Sequence, residues 1–317
     1  MPTHTLVMDY CPELLQGFHQ ARIAVRVHDP AMIIQAAGEI SRHNTLAAVI
    51  AELDTSLAEL TLLAEWRDTP IAFYLPSMGE FHQIAPKVVA LRSMNARFFF
   101  PADNAENHTA CRILSSLGLA TGLWFKSPPF VKGDSGGFAS DSTAKSPPAP
   151  LSESGEVVEP DWVSLCDLMA YSLYGKMRHA PIEPFDYLIS NYDPKVRNLW
   201  DRIWFDDPES SLHISNEGKI ALTRHHLLAG QFLSDQLGDI PCIADNPAYQ
   251  EHQEAWREFF LKDDGCAFCP AWRVCLGRFD GICAEPETGC RTFFLELMEA
   301  AEERKKLQGN KRELWQP

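Results

Sequence analysis

No stretch of the chain approaches the roughly 20 consecutive apolar residues that a membrane helix needs, so no membrane partner is expected. Nor does a basic start followed by an apolar run appear at the N-terminus, MPTHTLVMDYCPELLQ. That segment does not read as a secretion signal, and a cytoplasmic location is expected. Positive charge is scarce: 28 Lys and Arg stand against 43 Asp and Glu, for a net charge of −15. Nucleic-acid binders carry a basic face, and no Lys/Arg stripe stands out here, so nucleic acid is not an expected partner. The one basic cluster, at 303–312, is interleaved with Glu and reads as a solvated helix end. A G-x-G-x-x-G loop is also missing after ARIAVRV, where the chain continues HDPAMI. This disfavours a dinucleotide-binding domain.

What is present is a repeat. Strand-like apolar runs begin near Ala21, Leu46, Ile71, Ala96 and Ala120, about 25 residues apart. That spacing is one strand plus one helix with short loops. Helical patterns are expected between them at 30–42, 57–66, 81–94 and 107–117, with Gly118 closing the last. Alternating strands and helices imply a parallel sheet, and strands apolar throughout imply that both faces are covered. The fold class is therefore α/β. A Ser-, Pro- and Gly-rich stretch at 127–160 reads as a mobile insertion, because it offers too little apolar surface to repay ordering. Beyond it the pattern predicts a helix over 161–177, a short sixth strand over 184–190 and a helix over 193–205 with Trp200 and Trp204 one turn apart. A hairpin is expected from Ser211 around the turn Asn216-Glu217-Gly218. A final amphipathic helix from about Thr292 presents Phe293, Leu297, Ala300 and Ala301 on one face.

Nine cysteines are many for a reducing compartment, where clustered thiols serve as metal ligands or catalytic groups rather than disulfides. Cys11, Cys111, Cys166 and Cys242 are scattered and read as small buried hydrophobes. The other five fall between 266 and 290, as Cys266-Ala-Phe-Cys269-Pro-Ala-Trp-Arg-Val-Cys275 with Cys283 and Cys290 beyond. One C-x2-C knuckle followed by single cysteines is asymmetric. Structural zinc favours two paired knuckles, so an iron–sulfur cluster is the preferred reading and zinc the alternative. Phe268, Trp272, Val274 and Phe279 would supply apolar shielding.

The run C-x2-C-x5-C resembles the core of the SPASM or twitch domain found after the catalytic barrel of many radical S-adenosylmethionine enzymes. Ile214-Ser215 with Gly218 and Ile220 resembles that family's hairpin, and Leu237-Gly238-Asp239-Ile240 its Leu-Gly-Asn-Ile turn. The resemblance covers about 211–301. It implies a partial (β/α)6 barrel over 1–205 and a small α+β iron–sulfur domain over 206–317. Thr223 stands where the family has a hairpin cysteine, and Phe279 breaks the C-x3-C that normally follows. Both losses fall on the family's first auxiliary cluster. The resemblance therefore implies one four-iron, four-sulfur cluster, held by Cys266, Cys269, Cys275 and Cys290, with Cys283 as the alternative fourth ligand. Cys290 is preferred because it directly precedes the final helix, as the last ligand does in the family.

The family's defining C-x3-C-x2-C loop is absent; only Cys11 lies in the relevant region, and the second run of the repeat ends Ala51-Glu52-Leu53-Asp54 without the expected Gly-Gly-Glu. Cleavage of S-adenosylmethionine is therefore not expected. The resemblance implies an accessory protein that binds a radical enzyme or its precursor peptide in a peptide-modification pathway. The alternatives are an electron-transfer protein, an independent enzyme using the barrel face, or a structural zinc protein. For the enzyme reading, His28, Asp29, Glu52, Asp54, Asp103 and Asn104 fall near strand ends, where such folds keep their chemistry. Polar residues there are also ordinary loop and cap material, and no spacing among them selects a reaction.

Overall fold

The computed structural model describes residues 4–125, 160–195, 205, 210–251, 254, 268–275 and 289–313. The fold is mixed α/β, built among the described residues on a nine-stranded sheet in the order β7-β6-β5-β4-β3-β2-β1-β8-β9. Every strand pair is parallel except β8 with β9. The strands are β1 (Thr5–Asp9), β2 (Arg22–Val27), β3 (Thr45–Glu52), β4 (Ile71–Tyr74), β5 (Ala96–Pro101), β6 (Thr121–Trp124), β7 (Ile182–Glu183), β8 (Ser211–Ile214) and β9 (Ile220–Ala221). The helices are α1 (Pro12–Leu15), α2 (Met32–Ser41), α3 (Phe81–Ile84), α4 (Val88–Arg92), α5 (Ala105–Ser116), α6 (Trp162–Tyr174), α7 (Phe185–Asn191), α8 (Arg224–Leu228), α9 (Trp272–Cys275) and α10 (Cys290–Glu313). Among the described residues no helix is long and apolar enough to cross a membrane.

Alternation along the strands explains the layering. Leu6, Met8, Ile23, Val25, Val49, Phe73 and Phe98 enter the main core, together with Ile33 and Ile40 of α2, Leu114 of α5, Leu165 of α6, Leu188 of α7 and Leu297 of α10. Val7, Ala24, Ala48 and Ile50 point to the other face, where Phe205 packs on them. All five runs of the repeat are strands, β2 to β6. A strand precedes them that the repeat does not reveal: β1 begins only 17 residues before β2 (22 − 5), out of step with the 25-residue period, yet it sits inside the sheet between β2 and β8.

Three expected elements differ. The helix expected at 57–66 is a turn followed by a short 3-10 segment at Ala64–Trp66. Here the backbone is claimed by neighbours: Leu57 and Ala58 N–H groups donate to Ser77 and Met78 carbonyls, at 3.2 and 2.9 Å. Lys87 Nζ takes the carbonyls of Ala58 and Leu60, so the intrahelical ladder cannot form. The helix expected at 81–94 is broken into α3 and α4 by a 3-10 turn containing Pro86, which lacks the donor a continuous helix needs. The strand expected at 184–190 is α7, where Phe185, Leu188 and Ile189 are buried at helical spacing. The strand that completes this edge is the preceding Ile182–Glu183. The stretch at 127–160 lies outside the described residues except for Pro160, as does most of the helix expected over 193–205 with Trp200 and Trp204.

The hairpin expected from Ser211 is present, with Gly218 at φ +82° in its turn. Its first strand pairs in parallel with β1, from Thr5 opposite Ser211 to Met8 opposite Ile214. The sheet thus continues past position 205 into the C-terminal segment.

Candidate functional site

Of the five clustered cysteines, Cys266 and Cys283 lie outside the described residues. Cys269 is half-buried, and its carbonyl accepts the Trp272 N–H at 3.0 Å, which starts the single turn of α9. Cys275 closes that turn, its N–H donating to Ala271 at 2.9 Å. Cys290 opens α10, and Gly289 just before it accepts the Phe293 N–H at 3.1 Å. The helix dipole favours negative charge at that end. Cys275 and Cys290 are both buried, and both belong to the main core with Ala271, Val274, Phe293 and Phe294. The turn carrying Cys275 packs on the helix that Cys290 begins. Among the described residues, however, no three His, Cys, Asp or Glu side chains are gathered as a metal-ligand group. Val274 is fully buried and Trp272 half-buried, as a shield requires, but Phe268 is exposed; on the turn before α9 its ring meets solvent instead of the core. Phe279 lies outside the described residues.

The scattered cysteines divide. Burial pushes the Cys111 thiol up to about 12 and the half-buried Cys166 to about 11, which keeps both as inert thiols. Cys11 is half-buried after β1, with Sγ 3.5 Å from the Glu13 carboxylate. Cys242 is exposed rather than a core residue: it lies in a 3-10 stretch whose buried positions are Ile240 and Ile243.

Most of the strand-end residues prove to be loop and cap material. Asp29 Oδ1 accepts the Ala31 N–H at 2.9 Å ahead of α2. Asn104 caps α5 by accepting the Glu106 N–H at 2.7 Å. His28 and Asp54 are exposed, and Asp103 is half-buried.

Glu52 is different. At the end of β3 it accepts two hydrogen bonds from Arg224 of α8, at 2.5 and 2.7 Å. Arg26 Nε of β2 lies 3.5 Å from the same carboxylate, and Arg26 Nη1 is 3.8 Å from Asp9 of β1. Arg26 Nη2 also donates to His213 Nδ1 of β8 at 3.0 Å. An arginine can only donate, so Nδ1 is the acceptor and the proton sits on Nε2, which donates to the Phe205 carbonyl at 3.1 Å. Burial alone would raise the Glu52 carboxyl, but the Arg224 and Arg26 guanidiniums outweigh it and hold the group below the ordinary carboxylate value. A carboxylate so engaged is a counter-ion, not a proton-transfer group.

Glu183 of β7 is the opposite case. Burial pushes its carboxyl up to about 7, and Arg97 at 4.0 Å only partly offsets this. Its Oε2 accepts the Tyr187 N–H at 2.9 Å at the start of α7.

Neither Arg26, Arg224 and His213 nor Glu183 emerged from the sequence. The available signal was weak: a charged residue at an alternate position within an otherwise apolar strand, as in RIAVRV. Comparison with protein-family models, curated proteins and solved structures returned no match to this chain.

Proposed function

We propose that this chain is an accessory iron–sulfur protein of the SPASM type, without S-adenosylmethionine cleavage of its own. It would serve a radical enzyme or a precursor peptide in a peptide-modification pathway. The reading rests first on the five cysteines between 266 and 290. The observation that supports it best is that Cys275 and Cys290, 15 positions apart in sequence (290 − 275), are both buried on elements that pack together. Soft thiolate donors in an apolar setting suit an iron–sulfur centre, and Cys266, Cys269, Cys275 and Cys290 would hold it. When bound, such a centre supplies one-electron transfer or structural cross-linking. The protein's own part is to shield the thiolates with Val274 and Trp272 and to place Cys290 at a helix start. The sequential order of β1 to β7 supports a singly wound sheet, and so a partial barrel with a cysteine module beside it.

The chemistry of cosubstrate cleavage supports the accessory role. Reductive cleavage needs an iron with an open position, held by three thiolates. Cys11 after β1 is followed by Pro12, Glu13 and α1, which supply no second thiol.

Anaerobic purification followed by iron, sulfide and zinc analysis tests the reading. One cluster per chain is expected, lost in Cys290→Ala and largely kept in Cys283→Ala. Stoichiometric zinc without sulfide replaces the cluster by the structural zinc alternative. Formation of 5′-deoxyadenosine by the reduced protein overturns the accessory role, as does failure to capture either a radical enzyme or its precursor peptide on co-expression.

A further inference from the structure

Arginines that are scattered in the sequence are gathered by the topology. Parallel strands begin at one end of their sheet, and each crossover returns the chain to that end. Arg22 is the first residue of β2. Arg42 closes α2 ahead of β3, and Arg92 is the last residue of α4 ahead of β5. Arg67 follows the 3-10 segment ahead of β4, and Lys176 and Arg178 lie between α6 and β7. All six are exposed. Hydrogen bonds join the loops of this end into a rim. Gln20 N–H donates to the His43 carbonyl at 2.8 Å, Asn95 N–H to Arg67 at 2.9 Å and Ala180 N–H to Ser115 at 2.9 Å, while the Arg92 side chain donates to the Leu117 carbonyl. Across 16–22, 42–44, 64–70, 92–97, 117–121 and 175–181 the acids are Glu65 and Asp68 alone.

The opposite end is acidic. Asp9, Asp29, Glu52, Asp54 and Asp103 lie at or just past strand ends, and the stretches 28–31, 53–63, 75–80 and 102–104 contain no Lys or Arg. Helix dipoles favour such a split and account for Arg42 and Arg92. They do not account for Arg22 at a strand start, for Arg67 after a single 3-10 turn, or for Lys176 and Arg178, beyond the Gly175 that closes α6. Among the described residues no ion pair engages Arg22, Arg42, Arg67, Lys176 or Arg178. Beside them, Tyr174 and Met177 are 65% and 76% exposed. We propose that this basic end of the sheet is a docking surface for an acidic segment of a partner protein. Arginines without acidic partners, next to an exposed aromatic ring and a methionine, have the residue make-up of a protein–protein contact. A nucleic acid or an anionic lipid surface fits less well, because the chain carries −15 overall and its acidic end repels a polyanion at long range. None of the clustered cysteines lies on these loops, so the surface is independent of a metal centre.

Fluorescence anisotropy with the full chain tests the proposal, using a labelled peptide of glutamate and leucine as probe, with a DNA oligonucleotide and phosphatidylserine vesicles for comparison. The peptide is expected to bind, and to bind more weakly as salt rises. Arg42→Glu and Arg178→Glu should each raise its dissociation constant about tenfold, whereas Lys219→Glu, the same charge change on the hairpin after β8 at the opposite end, should alter it less than about twofold. Met177→Ala should weaken binding while keeping the salt dependence. Absence of peptide binding at low salt overturns the proposal. An equal loss in Lys219→Glu also overturns it, since net charge would then be the cause. So does a Met177→Ala variant that binds like the parent, or an oligonucleotide or vesicle bound as tightly as the peptide.

Discussion

The C-terminal segment returns to both sides of the sheet, next to β1 and next to β7, and it is held at the two places by opposite chemistry. Beside β1, β8 adds a parallel strand, and charge locks it down: Arg224 grips Glu52, and His213 accepts from Arg26. At the β7 edge, α10 lays Phe293 between Trp162 and Phe185. Apolar packing is non-directional and scales with buried area, so the β7 edge contributes bulk stability. A buried charge network gains little net energy, because desolvation offsets attraction, but it is costly to break from one side. The charged network beside β1 and β8 is thus better suited to selecting one register than to adding stability.

Substitutions at each place should separate these roles. The largest effect is expected from Phe293→Ala, which leaves a cavity between three helices and should cost about 3–5 kcal/mol. The check is the urea midpoint, with Leu297→Ala as a second probe of the same face. A loss below about 1 kcal/mol would show that α10 is not a structural part of that edge.

Glu52→Gln comes next, on the order of 3 kcal/mol, because two guanidiniums lose their counter-ion. If the network mainly selects register, replacing both partners by apolar groups, as in Glu52→Leu with Arg224→Leu, should recover much of the loss. The sign of the pH dependence follows from the depressed Glu52 carboxyl. Its stabilisation is present above the ordinary carboxylate pKa and is lost as pH falls through the lower folded value. The Glu52→Gln variant should therefore show a flatter acid limb in thermal melts.

Gly122→Ala should cost about 1–3 kcal/mol by overpacking. A Cβ at this position of β6 would lie 2.6 Å from the Phe99 ring and 3.0 Å from Glu183 Cβ. A neutral result in denaturant titration would mean that the β7 edge can yield.

The last effect is confined to pH. Glu183 is raised to about 7 from an ordinary 4.5, so the folded state binds its proton more tightly than the unfolded state. Stability from this group falls as pH rises between those two values and stays low above them. Glu183→Gln should remove that decline and match or exceed the parent protein above neutral pH. A parent whose stability does not fall across this window contradicts the shift.

Strands β2 to β6 were legible because each is an apolar run in a regular repeat, and period 2 or continuous apolarity is written in the residues themselves. The final helix was legible for the same reason, in the spacing of Phe293, Leu297 and Ala301. The helix expected at 57–66 failed because its backbone groups are taken by Ser77, Met78 and Lys87, and none of these lies within the window that local propensity sees. β7 was misplaced because Phe185, Leu188 and Ile189 fit an apolar strand as readily as a helix face. Of the strand-end carboxylates, sequence position alone could not tell Glu52, which is gripped by a residue 172 positions away, from Asp29, which caps its own turn.

The sequence by itself determined the α/β class, the parallel repeat and the clustering of five cysteines, since each is a local pattern of residue type and spacing. Only the tertiary structure decided that β1 is an interior strand, that β8 extends the sheet beside it, and that Arg26, Glu52, Arg224 and His213 form one network. These are contacts between residues far apart in the chain. They arise when apolar faces collapse together and force the remaining charged groups to find one another or stay unpaired, and no local pattern encodes that outcome.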